Sequence, residues 1–268
     1  MDTTRGVVVG YDGSDFAMQA LDWGVDEAKL RGLPLTVCHA WQWPYDEADE
    51  DSRNSLRHAA EHVVWHGADC ARSSTSGIEV RSDLYNGSAG ERLVQLSHEA
   101  DLLVVGSRGL GGVARRVVGS VTGYVATHAH CPLIVVRGRG ALPRRTRPGP
   151  VVAGVADREE ADAAVLELSC QEAKTRQLTL MAVHAWSPPL VIREAAKQRL
   201  EQTVGPWRER YPDLTIETRV TEEPARQALL HASTDATLLV VGAPHGRFGS
   251  VTSAVLHNAR CPVGIARS

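Results

Sequence analysis

The sequence predicts an α/β protein of two tandem, doubly wound parallel sheets, each of five strands, and three observations carry that expectation. Blocks of sequence recur in the same order in the two halves; short β-branched runs alternate with longer segments of helical period; and a Gly-, Pro- and Arg-rich stretch separates the halves.

The recurrence is direct. Gly6-Val7-Val8-Val9-Gly10 returns as Pro150-Val151-Val152-Ala153-Gly154, and Leu35-Thr36-Val37-Cys38-His39-Ala40-Trp41 as Leu180-Met181-Ala182-Val183-His184-Ala185-Trp186. Asp101-Leu102-Leu103-Val104-Val105-Gly106 returns as Thr237-Leu238-Leu239-Val240-Val241-Gly242. Gly119-Ser120-Val121-Thr122 returns as Gly249-Ser250-Val251-Thr252, and Cys131-Pro132-Leu133-Ile134-Val135 as Cys261-Pro262-Val263-Gly264-Ile265. Between the halves, residues 139–149 carry no apolar period and read as an exposed linker, which gives domains 1–138 and 150–268. The length of 268 residues suits two ordinary domains.

In the first half, strands are expected near 6–11, 34–40, 78–84, 102–106 and 132–137. Helices fit between them at 17–30, 52–73 and 89–99, with a last one from 117 or 120 to 127. Leu21, Val25, Ala28 and the neighbouring Trp23 give the first helix a face to bury, and Gly32 with Pro34 ends it. Five parallel strands with right-handed crossovers form an open sheet that binds ligands beyond the carboxyl ends of its strands, at the switch point.

Composition narrows the function. With 43% hydrophobic and 23% charged residues the chain is an ordinary globular protein, and a net charge of −3 offers no positive field for nucleic acid. The five cysteines are scattered with no C-x-x-C pair, which reads as reduced thiols in a cytosol; Cys131 and Cys261 read as core thiols. No apolar run approaches the ~18 residues of a spanning helix, and the amino terminus passes straight into a strand-like run. A cytoplasmic protein, without a membrane or nucleic-acid partner, is expected.

Two stretches of the first half should meet at the sheet edge. One is Gly10-Tyr11-Asp12-Gly13-Ser14; the other follows the fourth strand, where Gly106, Gly109, Gly119 and Ser120 form the spacing G-x2-G-x9-G-[ST]. Glycines let backbone amides approach an oxyanion and reach positive φ, and a helix opening at Gly119-Ser120-Val121-Thr122 adds its dipole, which points to phosphate binding. The Ser120 and Thr122 hydroxyls are further candidate donors, with Arg108, Arg115 and Arg116 as balancing charges. Asp12 reads either as an acceptor for an adenine amino group or ribose hydroxyl, or as a cap on the following helix.

Other features read as structural. His58, His62 and His66 share a helix face, but nothing at a telling spacing completes a metal site. His128 and His130 suit a helix end, and Trp41, Trp43 and Trp186 suit core or interface anchors. Ser14, Ser107 and Ser120 lack evident His and carboxylate partners, so no catalytic residue is assigned.

The first half resembles the universal stress protein family, specifically its tandem-domain members, in V-V-G-Y-D-G-S at 8–14, V-C-H-A at 37–40, V-G-S-R-G followed by G-S-V-T, and H-C-P-L-I-V-V-R at 130–137. The resemblance extends over nearly the whole chain and implies a Rossmann-like, adenine nucleotide alpha hydrolase-like fold. It is similar to the ATP-binding branch at each nucleotide position, which implies that Asp12 and Ala40 face the adenine and ribose, with Gly10 and Tyr11 also among the nucleotide-binding residues. It further implies that Val105, Gly106, Arg108 and Gly109 line the phosphates with Gly119, Ser120, Val121 and Thr122. ATP is the implied cofactor, with Mg2+ through its phosphates left open.

The second half departs from the pattern: Ala156 meets Asp12, Asp157 stands one place further on, and Pro244 removes a backbone donor where donors are needed. Its nucleotide site is expected to be degenerate. The resemblance also implies that the last strands, 133–137 and 262–266, pair across a pseudo-two-fold axis as an internal dimer, with a homodimer left open. The expected function is a stress-response regulator dependent on ATP in the first domain; the alternatives are a slow ATPase using the same pocket, or a scaffold without nucleotide.

Overall fold

A computed structural model describes residues 5–43, 49–109, 118–137, 148–186, 193–244, 246 and 248–267. The chain divides into two compact units, Met1–Val136 and Arg137–Ser268. The linker expected at 139–149 lies, up to 147, outside the described residues, as do Arg115 and Arg116.

The first unit runs β1 (Val7–Gly10), α1 (Asp15–Arg31), β2 (Leu35–Trp41), α2 (Glu50–Ser74), β3 (Val80–Asn86), α3 (Ala89–Leu96), β4 (Leu102–Gly106), α4 (Ser120–His128) and β5 (Leu133–Val136). Its strands are parallel in the order β3-β2-β1-β4-β5, so the chain reverses direction across the sheet between β1 and β4. Val7, Val8 and Val9 are wholly buried, as expected of a strand covered on both faces.

Boundaries follow local chemistry. α1 begins two residues before the expected start because Ser14 is its cap, accepting the Ala17 amide at 3.2 Å. It ends where Gly32 turns left-handed at φ 65°. α2 likewise starts early, at Glu50, because Asp49 accepts the Ser52 amide at 2.7 Å. β3 begins at Val80 rather than 78 because Gly77, at φ 96°, still belongs to the turn leaving α2.

The face of α1 holds Leu21, Val25 and Ala28 in the core. Gly24 lets that helix lie directly on β1: a Cβ there would stand 2.3 Å from Val9 Cγ2. Trp23 stays at the rim, its Nε1 donating to Glu27 Oε1 at 2.8 Å. Glu27 is wholly buried and pairs with Arg31 at 3.0 Å.

The second unit repeats the plan with β6 (Val151–Val155), α5 (Glu159–Thr175), β7 (Leu180–Ala185), α6 (Arg193–Arg210), β8 (Ile216–Thr221), α7 (Ala225–Ala232), β9 (Leu238–Gly242), α8 (Ser250–Asn258) and β10 (Val263–Ala266). Its strands are parallel in the order β8-β7-β6-β9-β10. Wholly buried Glu172 pairs with Arg176 at 2.7 Å, the counterpart of Glu27 and Arg31. The tandem α/β architecture is therefore as the sequence predicts. Among the described residues no helix is long and apolar enough to cross a membrane.

Candidate functional site

The carboxyl ends of β1 and β4 lie side by side, with Gly10 in register with Val105. That adjacency brings the two glycine-bearing stretches together. Asp12, just past β1, accepts at Oδ1 from the Ser14 amide at 3.0 Å and from Ser14 Oγ at 2.6 Å. Ser14 caps α1, so Asp12 braces the cap rather than being it. Its other oxygen lies towards the second stretch: a Cβ built on Gly109 would stand 2.3 Å from Asp12 Oδ2.

The loop after β4 is clamped at both ends. The Gly119 amide donates to Ser107 O at 3.0 Å, and the Thr122 hydroxyl donates to Gly106 O at 2.8 Å. Thr122 is 4% exposed, and its hydroxyl holds α4 to β4. Ser120 and Val121 are exposed at the start of α4, where Gly119 supplies no side-chain cap and the first turn carries no acid. Their amides lie where a helix dipole favours an anion.

None of Gly106, Gly109 and Gly119 sits at positive φ; that conformation falls at Gly13, φ 82°. Gly106 is needed for close approach instead: a Cβ there would stand 2.7 Å from the Phe16 carbonyl oxygen in the first turn of α1. Arg108 lies with its guanidinium carbon 4.6 Å from the centre of the Phe16 ring, a cation–π contact that holds it over α1.

Tyr11 contributes its backbone to this edge while its ring turns under α2. It is 3% exposed, lies against Gly67, and its hydroxyl meets His66 Nδ1 at 3.0 Å. Burial, then the neighbouring Cys70 and Asp12, push the Tyr11 hydroxyl above the usual phenol range. Ala40 is half-buried near the end of β2, in register with Tyr85. Of the three histidines expected along one helix face, His66 is engaged by Tyr11 and His58 by Glu61 at 3.1 Å.

His39 was not singled out by the sequence, yet it sets the geometry of the edge. Its Nδ1 meets Tyr11 O at 2.8 Å, fixing the chain where it leaves β1. His184 does the same at Val155 O, at 3.1 Å. The repeated His-Ala-Trp block was the available signal.

In the second unit the same edge is rebuilt. Thr252 donates to Gly242 O at 2.9 Å, as Thr122 does to Gly106. Asp157 is the counterpart of Gly13, at φ 57°, so it is the turn residue rather than a displaced Asp12. Its carboxylate lies 3.6 Å from His184 Nε2 and 3.8 Å from Arg199 Nη1. Asp162, 2% exposed, takes over the bracing of the loop by accepting the Ala156 and Arg158 amides, each at 2.8 Å. Burial pushes its carboxyl above the usual range against those two bonds. Asp162→Ala is expected to cost about 1–3 kcal/mol, measured as a lowered denaturation midpoint, because it removes two charge-assisted bonds. Beside this loop a cavity of about 510 Å³ opens between β6, β7, β9 and the start of α8.

The chain matches the universal stress protein family model twice, over residues 3–137 and 149–267. It is similar to two universal stress proteins of Mycobacterium tuberculosis (strain ATCC 25618 / H37Rv). One is 34% identical over 298 residues, covering 98% of this chain and 97% of the relative. The other is 33% identical over 302 residues, covering 99% and 97%. A solved universal stress protein from Archaeoglobus fulgidus DSM 4304 shares the fold, with a TM-score of 0.77 at 15% identity over 100% of this chain and 99% of that one.

Proposed function

The chain belongs to the universal stress protein family, and on that premise we propose that its first domain binds ATP and works as a nucleotide-dependent regulator. The observation that carries the reading is the meeting of Asp12 and Gly109, which brings an acceptor beside the glycine-bearing stretch that follows β4, at the switch point. Asp12 accepts from the adenine or ribose, with Tyr11 and Ala40 framing it. The phosphates lie against the backbone of Gly106, Arg108 and Gly109 and the uncapped start of α4 at Gly119, Ser120 and Val121. Each favourable anionic contact with that helix end contributes ~0.3–1 kcal/mol. Thr122 acts from behind, holding α4 in place.

The second domain does not take the nucleotide in this reading, since Ala156 replaces the acceptor and Pro244 lacks an amide hydrogen. No disulfide joins the five cysteines, which suits a reducing cytoplasm. A thermal-shift titration tests the reading: ATP is expected to raise the melting temperature of the intact chain. Asp12→Ala is expected to weaken binding by roughly 5- to 150-fold, from about 1–3 kcal/mol of lost polar pairing. No shift at millimolar ATP would leave the scaffold alternative standing.

A further inference from the structure

We infer that the second-domain cavity binds a compact apolar carboxylate, such as an aryl- or branched alkyl-substituted acid, in place of a nucleotide. The inference is independent of ATP binding in the first domain. The cavity's volume of about 510 Å³ falls within the ~300–1,000 Å³ of small-molecule sites. Its walls are apolar: Val155, Val183, Leu229, Val241 and Phe248.

Charge decides what such a site accepts. No aspartate or glutamate is among the described residues lining it; Asp157 is not on the lining, and its carboxylate lies 3.6 Å from Nε2 of the lining residue His184 and 3.8 Å from Arg199 Nη1. Arg158, an exposed residue, is among the lining residues and has no ion-pair partner among the described residues, so its cationic side chain is available to an anion at the cavity. The start of α8 at Ser250, uncapped by Gly249, belongs to the same lining. An apolar body with a single anionic group matches these features. A nucleotide does not, because the cavity offers Ala156 where the first domain has Asp12, and its remaining interior would bury a triphosphate against Val and Phe side chains.

The probe is 3-phenylpropionate, titrated calorimetrically into the intact chain, with uncharged 3-phenylpropionamide beside it. The acid is expected to bind once per chain and the amide about tenfold more weakly, as the loss of one charge-assisted contact requires. Arg158→Gln should bring the acid down to the level of the amide. Ala225→Trp and Leu229→Trp, both at lining positions, should each abolish binding; Ala225 is only half-buried, so that variant reads the site even where Leu229→Trp fails to fold. Saturating ATP should leave the titration unchanged. Absence of binding at millimolar acid, equal affinity for the amide, or displacement by ATP would each overturn the inference. A chain that binds the acid but no ATP would defeat only the first-domain reading.

Discussion

Gly109→Val is expected to abolish ATP binding while leaving the chain folded. A Cβ at that position falls 2.3 Å from Asp12 Oδ2 and 3.4 Å from its Cγ, so valine must displace the carboxylate. Asp12 yields only by giving up its bonds from the Ser14 amide and hydroxyl, at 3.0 and 2.6 Å, which to a charged acceptor are worth about 1.5–3 kcal/mol each. The branched side chain would also occupy the ground where phosphates approach the loop. The fold itself should survive, because Gly109 is not in the left-handed region and, among the described residues other than its chain neighbours, only Asp12 lies within 4 Å of the added atom. Titration calorimetry should give one ATP per chain for the parent protein and none for the variant, and Ala156 substitutions in the second domain should change neither. A stoichiometry near two, or undiminished affinity in Gly109→Val, defeats the one-site reading.

That prediction rests on a contact the sequence did not show. Repetition of the apolar blocks was enough to place the strands, because buried parallel strands are written as continuous β-branched runs and little else imitates them. The glycine spacing was enough to mark the loop. What each glycine does was not legible, since one residue type serves both a positive φ and close packing. Gly106 makes room for the Phe16 carbonyl and Gly13 supplies the left-handed turn, the reverse of what the loop motif suggests. Asp157 shows the converse, for aspartate tolerates the left-handed region well enough to replace Gly13, so a carboxylate one place out of register signals a turn and not a ligand. The bond from the Thr122 hydroxyl to Gly106 O was not legible either, because the two come close only once α4 is folded back on β4.

Arg31→Met is expected to produce the largest loss of stability in the first domain, and it draws on another repeated feature that block matching missed. Glu27 has no exposed side-chain surface, and Arg31 Nε lies 3.0 Å from its Oε2. Removing the guanidinium takes the Arg31 ion pair from a buried carboxylate, at a cost of about 3–5 kcal/mol, a large share of the ~5–15 kcal/mol that holds a domain together. Removing both charges should cost far less. In a Glu27→Gln/Arg31→Met double variant the new side-chain amide still offers an oxygen to Trp23 Nε1, which in the parent protein donates to Glu27 Oε1 at 2.8 Å, so the buried acceptor keeps a partner. Chemical denaturation should therefore show a deep fall for Arg31→Met and recovery of most of it in the double variant. Arg176→Met should repeat the effect in the second domain, where Glu172 is equally buried and its oxygen is 2.7 Å from Arg176. Equal losses in the single and double variants would mean that the arginine stem, packed along α1, supplies the stability and the charge pair does not.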